Sequence, residues 1–238
     1  MALSMRTGWI VPAALVLLGL VPALAGSVRL AEIGLGAEVT PANARFLTAP
    51  LPVVLHIITV TIYTLLGAFQ FSGDIRRNHP GWHRAAGRTL VPMGLVAALS
   101  GLWMTQFYIP PPMDEGLALY LVRWAVGTLM TAFLILGFIA IKRGEIAKHQ
   151  AWMMRAYGLG LGAGTQVLTH LPWVLNVGMP TSTLTRDLLM TAGWVINIAV
   201  VEWILARRVR RGKAQAARAG ALAHLGREPI EDLSFAAS

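Results

Sequence analysis

Apolar residues collect in six runs along the chain: Trp9–Ala25, Pro52–Phe71, Thr89–Tyr108, Leu117–Ile141, Trp152–Trp173 and Leu188–Ala206. A helix needs about 20 mostly apolar residues to cross the roughly 30 Å of hydrocarbon in a bilayer, and each run is near that length. A helix facing lipid needs no polar face, because its backbone hydrogen bonds close within the segment. The pattern therefore predicts an all-α fold, a polytopic membrane bundle of about six transmembrane helices. Residues 1–26 would hold the first span, 27–51 an external loop and 52–173 a four-helix membrane core. Residues 174–206 would hold an external loop and the last span, and 207–238 a basic cytoplasmic tail. The first run, with Arg6 ahead of it and Ala23-Leu24-Ala25 at its end, mimics a signal peptide; we expect it to be retained as a span. The fifth run, rich in glycine and carrying His170, is the weakest by hydropathy.

Charge supplies the orientation. Arg6, the connections between spans two and three and between four and five, the tail, and Arg155 just inside the fifth span together make 16 Lys and Arg. The other connections hold three, Arg29, Arg45 and Arg186, and Arg123 lies within a span. Cytoplasmic loops carry the excess of Lys and Arg, so both termini are expected in the cytoplasm. Trp9, Trp82, Trp152 and Trp203 near the inner boundary, and Trp103 and Trp173 near the outer one, fit an interfacial belt.

Composition agrees. Hydrophobic residues make up 55% of the 238 positions and charged ones 13%, about half the usual share for a soluble domain. The net charge of +9 sits in short clusters between apolar runs, a topological pattern that does not suit nucleic acid. The expected partner is the lipid bilayer of a bacterial inner membrane, with anionic lipid near the tail, where each charge is worth about 1 kcal/mol. With no cysteine, disulfides, thiolate metal sites and Cys nucleophiles are excluded.

Certain residues carry a family likeness: His56, Gly67-Ala68-Phe69-Gln70-Phe71, His83-Arg84 with Gly87-Arg88, Trp124, and His149-Gln150-Ala151-Trp152-Met153-Met154-Arg155 followed by Tyr157. In these the stretch from His56 to Trp173 resembles a bacterial family of predicted membrane proteins, the domain-of-unknown-function family numbered twenty-three-zero-six. Gln150 departs from the family's pattern, as does Gln166, where an arginine is common. The resemblance implies a membrane bundle and no particular activity.

Candidate chemistry lies in the histidines. His56 and His170 fall toward the outer ends of spans two and five, and His83 and His149 open spans three and five at the inner boundary. Such outer and inner pairs could ligate haem b axially, one group near each face, giving an electron path across the bilayer. This layout resembles that of the ascorbate-linked transmembrane cytochrome b ferrireductases, in arrangement only. His56, Tyr63 and Gln70, with Thr59 and Gly67, share one face of span two, and polar residues at that depth should face the bundle. Arg123 is placed to meet a propionate. Its plainer role is to snorkel or to pair with Asp114, Glu115 or Asp187. Gly158, Gly160, Gly162 and Gly164 form two overlapping Gly-x-x-x-Gly pairs, which suit close helix packing or a flat macrocycle. His83 to Arg88 and His149 to Arg155 echo one another, as a duplicated two-helix unit would.

No phosphate-binding loop, zinc-protease helix or hydrolase elbow is present. The expected activity is haem-dependent electron transfer or haem handling. The alternatives are a non-catalytic subunit or assembly factor of a larger membrane complex, and a small-molecule transporter using the stripe of span two.

Overall fold

The computed structural model describes residues 2–110, 116–180 and 182–225; Asp114, Glu115 and Arg227 lie outside the described residues. Among the described residues every regular element is helical. Helix α1 spans Ala2–Gly34, α2 Ala44–Thr48 and α3 Pro50–Ala68, which ends in a 3-10 turn at Phe69–Phe71. Then come α4 (Gly73–Asn78), α5 (Pro80–Phe107), α6 (Leu117–Lys142), α7 (Ile146–Gly160), α8 (Gly162–Val177) and α9 (Thr183–Leu225). Proline opens α3 and α5, where its missing N–H has no helical partner to lose. The Ser72 hydroxyl accepts the Ile75 N–H at 3.3 Å and starts α4.

Among the described residues, five helices are long and apolar enough to cross a membrane: Gly8–Gly34, Pro50–Phe71, Pro80–Phe107, Leu117–Lys142 and Thr183–Arg218. The expected fifth run differs. It folds as two shorter helices, α7 and α8, joined at Leu161, whose backbone leaves the helical range at φ −82°, ψ 1°. The Leu161 carbonyl accepts from Gly164 N–H at 3.0 Å, a tightened turn, so the path continues through the break. The ends of the runs also shift. α1 continues past Ala25 because the polar groups there are satisfied on the helix itself: Ser27 donates to Ala23 O at 2.9 Å, and Arg29 pairs with Glu32.

The chain divides into two units, Met1–Val201 and Glu202–Ser238. In the second, α9 stays helical through Leu225, and the Arg207 guanidinium lies 3.8 Å over the Trp203 ring. In the first, the core is a cluster of Tyr63, Leu90, Ala98, Met130, Leu134, Ala156, Tyr157, Leu159 and Leu161, contributed by α3, α5, α6, α7 and the break that follows it. The most apolar stretch of α3 is 33% buried and that of α1 11%. A span mostly exposed within its own fold presents that surface to lipid.

Contact across the break is close. A Cβ at Gly160 would lie 2.8 Å from the Tyr63 ring, one at Gly162 2.0 Å from Trp194 Nε1, and one at Gly164 2.2 Å from the Leu18 carbonyl oxygen. The glycines thus let α1, α3 and α9 press onto one stretch of backbone. Side chains fasten it as well. Thr165 donates to Asn197 Oδ1 at 2.7 Å, and Asn197 Nδ2 donates to Gly158 O at 2.9 Å. Gln166 Nε2 donates to Met190 O at 3.0 Å and Thr169 Oγ1 to Leu189 O at 2.8 Å. Bonds of this kind in membranes are worth about 0.6–2 kcal/mol each.

Gly164→Ala is expected to destabilise by about 1–3 kcal/mol, because the Leu18 backbone cannot yield as a side chain would. Gly87→Ala, with nothing within 4 Å of the new Cβ, should be neutral or slightly stabilising. Thermal unfolding of the detergent-purified variants reads both, and equal melting temperatures for the two would contradict the close contact.

Candidate functional site

The site begins with the inward face of α3. Thr59, Tyr63 and Gly67 are buried as their spacing predicts. Thr59 donates to Leu55 O at 2.6 Å, which satisfies its hydroxyl within its own helix. Tyr63 occupies the gap left by Gly94 of α5 and Gly160 of α7, with either Cβ position under 3 Å from its ring. Tyr157 faces Gly67 and donates to Thr64 O at 2.7 Å. These contacts close the middle of the bundle.

Between that plug and the end of the bundle holding α2, a cavity of about 430 Å³ opens. This lies within the range of about 300–1,000 Å³ usual for small-molecule sites. Its walls are mostly apolar and small: Ala97, Ala98 and Gly101 from α5, Gly127 and Met130 from α6, and Pro22 and Gly26 from α1. The polar lining is sparse and specific. It includes His56, Thr61 and Thr64 of α3, Gln166 of α8, and three arginines: Arg45 of α2, Arg123 of α6 and Arg186 of α9.

His56 is held by α5. Its Nδ1 lies 2.8 Å from Ala97 O and 3.3 Å from the Ser100 hydroxyl, and its Cε1 sits against Gly101. A carbonyl oxygen only accepts, so Nδ1 carries a proton, and in the neutral ring the lone pair falls on Nε2. The same argument applies to His149, whose Nδ1 meets Gly137 O at 2.9 Å, and to His170, whose Nδ1 meets Gln166 O at 2.7 Å. Each is a tautomer in which Nε2 could act as a metal ligand.

Of the residues singled out from sequence, the cavity brings His56 and Arg123 together. His170 is not among its lining residues and turns back onto its own helix. At the opposite end of the bundle, His83 and His149 lie within electrostatic reach of each other, and His83 Nδ1 is buried with no hydrogen-bond partner. Among the described residues no group of three or more His, Asp or Glu could hold a bare metal ion. Axial haem ligation needs only one or two imidazoles.

From sequence, Arg45 and Arg186 are loop charges only, and Asp187 is a loop charge offered as one possible partner of Arg123. Asp187 is 3% exposed, and its two carboxylate oxygens accept the backbone N–H groups of Gly116 and Leu119, each at 3.2 Å. It satisfies N–H groups that open α6 without a helical partner, and it favours the helix dipole there. That bond fastens the start of α9, with Arg186, to the start of α6, which carries Arg123. Arg45 is oriented by its neighbour: its guanidinium and that of Arg29 each lie 4.7 Å from the Phe46 ring centroid. Their signal in the sequence was position alone, a charge within a turn or two of a span end.

An all-helical polytopic membrane protein with an arginine-lined cavity is the class these features define. A family model described as predicted membrane protein (DUF2306) matches residues 53–205, and the chain belongs to that family. The chain matches no curated protein and no solved structure. The matched stretch contains His56, Arg123 and Arg186, while α1 and α2, with Arg45, lie before it.

Asp187→Ala should cost about 1–3 kcal/mol, the range for a hydrogen bond to a charged group and the donors it leaves stranded. Lowered thermal stability in detergent is the expected result, and a melting temperature equal to wild type would remove this fastening role.

Proposed function

We propose that the protein binds haem b in this cavity, as a haem-handling or electron-transferring membrane protein. The observation that carries the reading is His56, an imidazole lining an apolar cavity with Nδ1 committed to Ala97 O and Nε2 left as ligand. A carbonyl that accepts from the other ring nitrogen fixes ring orientation and makes the ligating nitrogen more basic. Arg123 offers charge-assisted hydrogen bonds to a propionate. Haem iron held in this way supplies single-electron chemistry, at a potential set by its axial ligand, burial and hydrogen bonding. His170 has no part in this arrangement. His83 and His149 both belong to the other end of the bundle, and a second group held there would give an electron path across the membrane. By the charge count, that end faces the cytoplasm along with both termini, and the cavity faces outward.

The expected visible spectrum of detergent-purified protein, from cells supplied with haem precursor, has a Soret band that sharpens on reduction. His56→Ala should abolish the outer contribution and Arg123→Ala weaken it, while His170→Ala leaves it in place. Two haems per chain would support the electron path and one would confine the function to handling. A protein that stays colourless after haem titration overturns the proposal.

Orientation has a separate test, made clean by the absence of native cysteine. Val39→Cys should react with an impermeant thiol reagent in intact cells, and Ala147→Cys only after lysis. The opposite pattern would invert the topology.

A further inference from the structure

Three of the cavity's lining residues are arginines, one each from α2, α6 and α9. Arg45 and Arg186 come from near the ends of α2 and α9 and Arg123 from the second turn of α6, while the lining also includes Thr64 of α3, Leu159 at the end of α7 and Leu161 at the break. Three cations gathered in a low-dielectric setting repel one another unless anions lie among them. Among the described carboxylates, Asp187 accepts two backbone N–H groups and Glu32 pairs with Arg29. The arginines have contacts within the protein too, but each guanidinium carries five N–H donors, enough for an internal partner and a ligand together. Arg45 is additionally held over Phe46, which packs edge-on against Tyr108 at 5.5 Å between centroids. A guanidinium oriented in advance loses less entropy when it binds an anion.

We infer that the cavity selects a ligand whose apolar body ends in a doubly anionic head, with Arg45, Arg123 and Arg186 as the head-binding residues. This deepens the proposed function and rests on the same cavity. The chemistry fits the paired carboxylates of a tetrapyrrole, and a phosphomonoester lipid carries a comparable head. It disfavours a neutral quinone or a singly charged lipid. Arg45 lies before the part of the chain matched by the family, so its share of head binding belongs to the segment of α1 and α2 that precedes the family core.

The test avoids iron. Protoporphyrin IX and its dimethyl ester are titrated into the full-length protein in detergent, and bound porphyrin is read by fluorescence. The diacid is expected to bind at least about ten-fold more tightly, the value of one or two hydrogen bonds to charged groups. Arg45→Gln and Arg186→Gln should each narrow that ratio several-fold. Arg45→Lys, which keeps the charge but loses the fork, should fall between wild type and Arg45→Gln and serves as the folding control. Equal affinity for diacid and diester overturns the inference, even where haem itself binds through His56. A retained diacid preference with no Soret band overturns the His56 reading and leaves the head site standing. Displacement of bound porphyrin by phosphatidic acid, and not by phosphatidylglycerol, supports the doubly charged head and assigns it to a lipid. Equal displacement by both lipids overturns the double charge.

Discussion

Hydrocarbon offers a polar group no partner, so every donor and acceptor placed at membrane depth must find one within the protein. The fold meets this constraint at many of its interior polar groups, while Gln70 Nε2, His83 Nδ1 and the indole nitrogens of Trp124 and Trp173 are buried with no hydrogen-bond partner. Threonines such as Thr59 and Thr64 turn back to their own helix. Longer groups reach across instead: His56 to Ala97, Tyr157 to Thr64, Asn197 to Gly158 and Gln166 to Met190. Each bond joins two helices that would otherwise gain little by meeting, because lipid tails are as apolar as leucine. Position and chemistry are thereby linked. The bond that docks α3 on α5 is also the one that sets the His56 tautomer.

Glycine makes those reaches short enough. The stretch from Gly158 to Gly164 admits Tyr63, Trp194, Leu18 and Val201 to its backbone from different sides. Helical geometry lapses at Leu161 within that stretch. Above the plug formed by Tyr63 and Tyr157, small residues on α1, α5 and α6 cannot fill the space between helices, and a cavity results. Its polar lining is confined to residues that the fold holds rigidly, His56 through α5 and Arg186 beside the Asp187 bond. Rigid placement of a few polar groups on an apolar wall is the usual construction of a cofactor site.

Much of this was legible in the sequence, for physical reasons that also mark the limit. Hydropathy and charge report depth along the membrane normal, so the spans and the bundle could be read directly. Spacings of three and four report azimuth on one helix, so the inward face of α3 could be read from Thr59, Tyr63 and Gly67. Neither reports the azimuth of one helix relative to another. His56 and His170 share a depth, yet only His56 lines the cavity, because His170 bonds to Gln166 of its own helix. The break at Leu161 was hidden because glycine's effect depends on what approaches it. Arg45 and Arg186 looked like ordinary loop charges, since only the folded ends of α2 and α9 place them on the cavity.

The central claim is that an apolar, arginine-lined cavity presents His56 to a haem. A cryo-electron microscopy map of the full chain in lipid nanodiscs, loaded with haem b, tests it most directly. The account predicts planar density between α3, α5 and α6, with the metal within bonding distance of His56 Nε2 and the carboxylate edge toward Arg123. Acyl-chain density in the cavity, with no macrocycle beside His56, would contradict it.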